Sequence, residues 1–373
     1  MEKKLLDFDL PVADPKIIKV IGVGGGGGNA VSHMYREGMQ EVAYVLCNTD
    51  NQALKNSQVP VKLMIGEGVG VGDMPERAED AAMTSDDAIR QVLNGGSLMV
   101  FITAGMGGGT GTGAAPVVAR IAKDMGLLTI GIVTIPFMFE GRPKINQALR
   151  GIIQMKKNVD ALLVINNERL CEIYPDLSLL NAFAKADDTV AVAARSIAEL
   201  ITLPGVINLD FRDVETTMKE GGVALISYGY GKGEGRMEQS IKSAIHSPLL
   251  KNSDLYKAKK ILFNISFSEK AELKVSELDF IRKFMDRFSD HIRVIWGTAI
   301  DESLGDKVKF TLLASGFDTD SPVVDNESDT IANLYQKYYG DLMQGSKIGR
   351  EMETESKQGS KFWQLVKDLF KED

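Results

Sequence analysis

Two dense clusters of glycine constrain this 373-residue chain more than any other feature. Six of the seven residues 22–28 are glycine, and so are six of the nine residues 105–113. Each cluster follows an apolar run, Ile17–Val23 or Ser97–Thr103, that predicts a buried strand. Glycine has no Cβ, so successive N–H groups can surround phosphate oxygens, and a following helix adds the positive end of its dipole. The sequence therefore predicts two strand–loop–helix units that bind phosphate.

The rest of the first half has the pattern of a parallel α/β sheet. Three helices and three further strands are expected, at Asn29–Arg36, Asp86–Leu93, Ala114–Lys123, Val42–Cys47, Leu127–Ile135 and Ala161–Ile165. Pro116 would lie in the first turn of its helix, where proline is tolerated. Strands that alternate with helices favour a parallel sheet covered by helices on both faces.

A long helical pattern, Leu179–Leu203, separates this half from a second, differently organised one. The expected order is then strand, helix, strand, helix, strand and strand, at Val223–Tyr230, Arg236–His246, Lys260–Phe267, Ser276–Phe288, Ile292–Ile300 and Val308–Phe317. This order predicts a compact α+β domain that the long helix connects to the first.

Composition excludes several classes of protein. The net charge of -8 repels a phosphate backbone, so nucleic acid is not an expected partner. The only cysteines, Cys47 and Cys171, predict neither a disulfide framework nor a thiol metal site, and the three histidines show no ligand spacing. The longest apolar run, Leu127–Phe139, is shorter than the roughly 20 residues that cross a bilayer, and residues 1–16 do not resemble a signal peptide. These features predict a cytoplasmic protein with no direct membrane span and no metal-binding side-chain cluster.

The first glycine cluster is compatible with more than one ligand. Gly22, Gly24 and Gly27 satisfy the spacing G-x-G-x-x-G, and Asp50 follows the next strand, as in sites for nicotinamide dinucleotides. An NAD-dependent oxidoreductase that uses Gly22–Gly27 is therefore the alternative function. It leaves the second cluster unexplained. Neither cluster contains the lysine of a Walker A loop, so backbone N–H groups and a metal ion must offset the phosphate charge.

Four segments together carry a resemblance to a known family. Gly105–Pro116 resembles the tubulin signature, and Gly22–Asn29, Asn48–Leu54 and Asn208–Asp213 resemble the bacterial cell-division branch of the tubulin/FtsZ family. The resemblance implies a Rossmann-like GTPase domain with a parallel sheet, joined by a long central helix to a smaller α+β domain. It also implies binding of GTP and GDP, and head-to-tail homopolymers, called protofilaments, that form a cytokinetic ring at the division site.

The chain then divides into six expected units. They are an N-terminal extension (1–16), a GTP-binding domain (17–178), the central helix and catalytic loop (179–220), an α+β C-terminal domain (221–317), a flexible linker (318–360) and an amphipathic terminal peptide (361–373). In the last unit Phe362, Leu365, Val366, Leu369 and Phe370 share one helical face. This face is expected to pack on the body, lie on a membrane or bind membrane-tethering division proteins.

The resemblance assigns nucleotide-binding roles to fifteen residues. They are Gly25, Gly26, Asn29, Asn48, Gly107, Gly108, Gly109, Thr110, Gly111, Thr112, Glu140, Lys144, Asn167, Phe183 and Asp187. Glu140 would contact the ribose, and Asn167, Phe183 and Asp187 would hold guanine. A carboxylate at Asp187 can accept from both the N1–H and the amine of guanine, a pair that adenine does not offer. Taken from the sequence alone, Phe183 could equally be a core aromatic residue.

The same resemblance places the catalytic residues Asn208, Asp210 and Asp213 in the nucleotide site of the next subunit. There the acids would orient the water that attacks the γ-phosphate, and Mg²⁺ would offset the phosphate charge. By sequence alone, helix capping is the better explanation of two acids three residues apart at a helix start, and the resemblance reverses that preference. Two segments depart from the family pattern: Arg142-Pro143-Lys144 and the glycine-rich Gly68–Pro75.

Overall fold

A computed structural model describes residues 16–342 apart from residues 40, 248–254, 290, 318–326 and 341. The first half consists of β1 (Ile18–Val23), α1 (Gly24–Glu37), β2 (Val42–Asn48), α2 (Asn51–Lys55), β3 (Val61–Met64), α3 (Pro75–Thr84), α4 (Asp86–Leu93), β4 (Met99–Gly105), α5 (Gly109–Asp124), β5 (Leu128–Ile135), α6 (Arg142–Asn158), β6 (Ala161–Asn166) and α7 (Asn167–Ile173). The second half consists of α8 (Leu179–Thr202), α9 (Phe211–Met218), β7 (Gly222–Lys232), α10 (Arg236–Ile245), β8 (Lys260–Phe267), α11 (Leu278–Met285), β9 (Arg293–Ile300), β10 (Lys307–Ser315) and α12 (Glu327–Tyr339).

The strands of the first half pair in the order β3-β2-β1-β4-β5-β6, and every pairing is parallel. This is the strand order of dinucleotide-binding folds, in which the order reverses between β1 and β4. The strands are apolar along nearly their whole length because helices cover both faces of the sheet. A ligand is expected in the crevice at the carboxyl ends of β1 and β4, where both glycine clusters lie.

The second half continues the same sheet. The end of β6 furthest from that crevice pairs in parallel with β7, through Ala161 with Gly222 and Leu162 with Val223. Beyond β7 come β10, β8 and β9, so the described part of the chain contains one ten-stranded sheet. The expected fold class, a parallel α/β unit joined to a smaller α+β unit, is confirmed, and the two units share sheet hydrogen bonds at β6 and β7.

Helix α8 connects the two halves through the core. It has 24 residues, which makes it about 36 Å long, and its alanine-rich face is buried against the sheet. Small side chains on this face let the helix approach the strands closely. The ammonium of Lys309 on β10 lies 2.6 Å from Glu199 of α8, which ties the helix to the second half. Among the described residues, no helix has the length and apolarity needed to cross a membrane.

The helices that follow the two glycine clusters begin earlier than predicted. Helix α1 begins at Gly24 and α5 at Gly109, so most of each expected loop is the first turn of a helix. Pro116 is consequently inside α5, in its third turn, and its predicted position in the first turn is wrong. Tertiary contacts override the low helix propensity of glycine here, because only glycine lets these first turns approach neighbouring backbone.

Residues 327–339 form helix α12, so the prediction of a flexible linker over 318–360 is wrong for this stretch. Ile331, Ala332, Tyr338 and Tyr339 are buried in the core cluster that contains α5 and α6. The apolar side chains fall at helical spacing, but the acid-rich residues before them give this part of the sequence the composition of a linker. The predicted amphipathic peptide, residues 361–373, lies outside the described residues.

Candidate nucleotide site

An open cleft of about 390 Å³ lies beside the first turn of α1, at the carboxyl ends of β1 and β2. Four of the predicted nucleotide-binding residues line it: Gly25, Asn29, Asn48 and Asp187. Asn48 is held in place because its Oδ1 accepts a hydrogen bond of 3.2 Å from the N–H of Asp50. The cleft thus extends from the start of α1 to the first half of α8. Such a cleft suits a ligand that has a phosphate group at one end and a polar ring at the other.

Several glycines are needed for packing rather than for a ligand. A Cβ at Gly27 would lie 2.1 Å from the carbonyl oxygen of Thr103, and one at Gly111 would lie 2.4 Å from that of Gly105. A Cβ at Gly113 would collide with the backbone of α3. Packing therefore explains glycine at Gly27 in the first cluster and at Gly111 and Gly113 in the second. Gly26 also faces the end of β4 and does not line the cleft.

Gly25 and Gly108 have open space where a side chain would lie. Neither has a positive φ, and a Cβ at either would meet nothing within 4 Å. Gly25 lies in the first turn of α1, and Gly108 is the N-cap of α5 with φ -93° and ψ 163°. Neither conformation nor packing explains glycine at these two positions. Close approach of a ligand to the backbone does explain it.

The first turn of α5 is organised by its two threonines. Thr112 Oγ1 accepts a hydrogen bond of 2.8 Å from the N–H of Gly107, which has φ +100°. Thr110 Oγ1 lies 2.7 Å from Thr49 Oγ1, so one hydroxyl donates to the other across the two loops. Gly24 is close to this turn, since a Cβ there would lie 2.9 Å from the N–H nitrogen of Gly111. The two helix starts therefore lie side by side and present their dipoles to one region.

A carboxyl group and a guanidinium group line the cleft between α8 and α1. Asp187 of α8 faces Arg36 of α1, and both line the cleft. Burial raises the pKa of Asp187 to about 7, and the nearby Arg36 only partly opposes this increase. Arg36 was not among the predicted site residues. It shares one face of α1 with Asn29 and Ser32, at spacings of seven and four residues, which is a signal that the sequence does contain.

The expected base and ribose residues follow β5 and β6. Glu140 accepts a hydrogen bond of 2.9 Å from the N–H of Phe137 and pairs with Lys144 at 2.8 Å. Phe183 is 41% exposed and meets the buried Phe137 edge to face at 5.1 Å, so it is not a core aromatic residue. Asn167 is buried at the start of α7, and its Oδ1 has no hydrogen-bond partner. An exposed ring and an unpartnered buried amide suit a ligand that stacks and donates.

None of the predicted catalytic residues lines this cleft in the same chain. Asp210 is the N-cap of α9, and its Oδ1 accepts from the N–H of Asp213 at 3.0 Å. Asp213 Oδ2 accepts in return from the N–H of Asp210 at 3.0 Å, while Asn208 accepts from the N–H of Gly205 at 2.7 Å. The acids are therefore helix caps, each with its second carboxylate oxygen outside this box.

The loop Gly68–Pro75 lies against the start of α5. A Cβ at Gly109 would come within 2.7 Å of the Val71 side chain and 2.9 Å of the Met74 nitrogen. Gly68, Gly70, Gly72 and Asp73 all have positive φ, so the loop follows a path that favours glycine. It forms the wall next to Gly108.

Neither a nicotinamide site nor a carboxylate metal site is evident at the cleft. Asp50 caps α2 by accepting from the N–H of Gln52 at 2.8 Å, and it does not line the cleft. Among the described residues, one group has the spacing of metal ligands: His33, Glu37 and Asp188, between α1 and α8. Its two carboxylates already pair with Arg195 and Lys185.

Comparison with known proteins agrees with this geometry. Residues 17–175 match the Tubulin/FtsZ family, GTPase domain, and residues 222–318 match the FtsZ family, C-terminal domain. The "Cell division protein FtsZ" of Porphyromonas gingivalis is 55% identical over 327 residues, which are 86% of this chain and 72% of that protein. The protein of the same name in Pseudomonas aeruginosa is 45% identical over 311 residues, 82% of this chain and 78% of that one.

Solved structures give the same result. The structure titled "FtsZ dimer, empty (M. jannaschii)" superimposes with a TM-score of 0.74 at 38% identity, covering 81% of this chain and 88% of that one. "CetZ2 from Haloferax volcanii - GTPgS bound protofilament", at 19% identity, has the same fold with a TM-score of 0.69, covering 86% of this chain and 98% of that one. These matches do not favour the oxidoreductase alternative. The chain therefore belongs to the tubulin/FtsZ family and, within it, to the FtsZ proteins.

Proposed function

We propose that this chain is a cell-division GTPase that polymerises head to tail and hydrolyses GTP where two subunits meet. The separation of two half-sites in one chain supports this most directly. At a rise of 1.5 Å per residue, about 22 Å of helix α8 separates Asp187 at the cleft from Thr202 near the acids. A second subunit, stacked so that its α9 meets the glycine loops of the first, would complete the site.

The cleft residues would bind GTP or GDP by complementary means. The N–H groups around Gly25 and Gly108 would donate hydrogen bonds to phosphate oxygens at the starts of α1 and α5. Asp187 would accept from guanine, and the exposed face of Phe183 would stack on it. Asn29 and Asn48 would form hydrogen bonds from the wall between them.

The acids of the neighbouring subunit would supply the groups that orient the attacking water. Asp210 and Asp213 each use one carboxylate oxygen in the reciprocal cap, which fixes their orientation. The second oxygens would accept hydrogen bonds from the attacking water and orient it toward the γ-phosphate. Positioning and electrostatics are what phosphoryl transfer chiefly requires, so two fixed acids suffice for this role.

Magnesium fits this site as an ion that arrives with the nucleotide. Within the described residues, the glycine loops offer N–H groups and the hydroxyls of Thr49 and Thr110, without a cluster of three acidic or histidine ligands. Mg²⁺ commonly keeps several waters and uses substrate phosphates as ligands, so few protein ligands are needed. When bound it would offset phosphate charge.

The wider setting is also proposed here. Protofilaments of a cytoplasmic protein would form a ring at the division site, and residues 361–373 would bind membrane-tethering division proteins. The support is the amphipathic spacing of that peptide in the sequence and the family membership of the chain.

One experiment tests the proposal. The purified chain is sedimented with GTP, with GDP and without nucleotide, while phosphate release is measured in parallel. We expect pelleting with GTP and phosphate release that begins at the assembly threshold. Phosphate release at full rate from dilute monomer would contradict the shared site, and filaments without phosphate release would show a polymer that binds GTP without hydrolysing it.

A further inference from the structure

Helix α12 contacts the segment that carries the expected ribose residue. Tyr339, the last residue of α12, is fully buried, and its hydroxyl donates a hydrogen bond of 2.7 Å to the carbonyl oxygen of Pro136. Pro136 directly precedes Phe137, whose N–H donates to Glu140 and whose ring supports Phe183. The hydroxyl of Tyr339 therefore fixes the point at which the chain leaves β5 for the site.

A second contact reaches the loop after β6. Asn166 Nδ2 donates a hydrogen bond of 2.7 Å to the carbonyl oxygen of Tyr338, and Asn166 is buried. Its Oδ1 accepts from the N–H of Glu168 at 2.9 Å, and Glu168 in turn accepts from the N–H of Met138 at 2.8 Å. The next residue, Asn167, carries the buried Oδ1 that has no partner. The two loops and the end of α12 thus form one hydrogen-bonded network.

We infer that α12 is a positioning element of the nucleotide site, with Tyr339 and Asn166 as its positioning residues. This rests on the proposed function, because it assumes that the segment around Glu140 and the start of α7 hold a guanine nucleotide. Both segments lie beyond the strand pairing of β5 and β6, so the contacts from α12 add to the hydrogen bonds of their own short helical turns. A site held in its bound geometry binds more tightly, since less order must be imposed on binding.

Nucleotide binding would then depend on α12, which follows the last strand of the sheet in the chain. If docking of α12 favours the bound form of the loops, bound nucleotide must equally favour docking of α12. A partner that removes α12 from its place would then weaken nucleotide binding, and GDP would oppose that partner. Nothing in the residues of the cleft itself would reveal this dependence.

The first test uses Tyr339→Phe in the full chain. This change removes one hydroxyl and leaves the ring in its place, so the buried carbonyl of Pro136 loses its donor. We expect the equilibrium dissociation constant for fluorescent GDP to rise about two- to tenfold. The matched control is Ile331→Ala, which loosens the packing of α12 without touching either loop. It should lower the melting temperature while the dissociation constant changes less than in Tyr339→Phe.

The second test needs no variant. Hydrogen–deuterium exchange of the amides in α12 is measured on the unaltered chain with and without saturating GDP. We expect slower exchange in residues 331–339 with GDP. Unchanged exchange, or a dissociation constant for Tyr339→Phe equal to that of the unaltered chain, would overturn the inference while guanine binding stands. Failure of the unaltered chain to bind GDP at all would instead overturn the proposed function.

Discussion

At the scale of single residues, Gly25, Gly108 and Asp187 give the most direct indication of the ligand. Gly25 and Gly108 are glycines that the empty protein does not need, because a side chain there would extend into open space. Burial of Asp187 disfavours the charged form of its carboxyl group, so this residue does not stabilise the protein by itself. Features that do not stabilise the free protein are best explained by what it binds.

Gly108→Ser tests the phosphate cradle. The serine side chain meets no protein atom, so the melting temperature of the nucleotide-free protein should change by less than about 2 °C. It does enter the space where phosphate oxygens must approach the backbone, and GTP affinity should fall at least about tenfold. The contrasting variant is Gly111→Ala, whose Cβ collides with the Gly105 carbonyl and should lower the melting temperature as well. Equal GTP binding by Gly108→Ser and the unaltered chain would refute the cradle.

Asp187 should make guanine binding depend on pH. With a pKa of about 7, the carboxyl is mostly charged at about pH 8 and mostly protonated at about pH 6. Only the charged form accepts from both guanine donors, so GDP affinity should decrease about tenfold as the pH falls through this range. Asp187→Asn, measured in the same buffers, reports the contribution of the phosphates and all other groups. A pH dependence that survives unchanged in Asp187→Asn would exclude this carboxyl as its source.

At the scale of elements, Asp210 and Asp213 at the start of helix α9 have two possible roles, as helix caps and as catalytic acids. The capping box shows that Asp210 and Asp213 stabilise a helix start, and it says nothing against a second role in the neighbouring subunit. Asp213→Asn retains a side-chain oxygen that can accept from the N–H of Asp210, whereas Asp213→Ala does not. The pair of variants therefore distinguishes the cap from the charge.

We expect Asp213→Asn to melt close to the unaltered chain and to assemble with GTP. Its phosphate release should be reduced at least about tenfold, because an amide cannot accept protons from water as a carboxylate does. Asp213→Ala should show the same loss of hydrolysis and an additional loss of about 1 kcal/mol in the free energy of unfolding. Calorimetry and a phosphate-release assay measure the two effects. Hydrolysis that falls only in Asp213→Ala, together with stability, would leave capping as the whole explanation.

Elements also show what the sequence could predict. The strands around β1 and β4 and helix α8 were predicted within two residues at each end, because long apolar patterns dominate there. The starts of α1 and α5 were missed because their glycines lie in a helix only through close backbone contacts that are invisible in one dimension. The helical spacing of Arg36 with Asn29 and Ser32 is present in the sequence, whereas the contact of Tyr339 could not be predicted, since its partner Pro136 is about 200 residues away.

At the scale of the whole molecule, the fold keeps the cleft and the proposed catalytic acids apart. Helix α8 spans from the cleft to the acids, and its length sets the distance between the two half-sites. One chain cannot fold back to close this distance, because α8 is packed into the core along the sheet. Under the proposed mechanism, hydrolysis requires contact between subunits, so we expect its rate to depend on assembly.

The last prediction tests that dependence by mixing two defective variants. Gly108→Ser retains the acids and lacks an intact phosphate cradle, while Asp213→Asn retains the cradle and lacks the charged acid. Where a Gly108→Ser subunit presents its α9 to the cleft of an Asp213→Asn subunit, one complete site is restored. Phosphate release by the mixture should exceed the sum of the separate rates. If equal amounts of the two variants occupy the filament at random, about a quarter of the interfaces are complete, and the rate can reach about a quarter of that of the unaltered chain. Co-sedimentation must first show that both variants enter the same filaments. Once it does, rates that merely add would mean that the acids act within their own subunit, because restored interfaces would then have no effect.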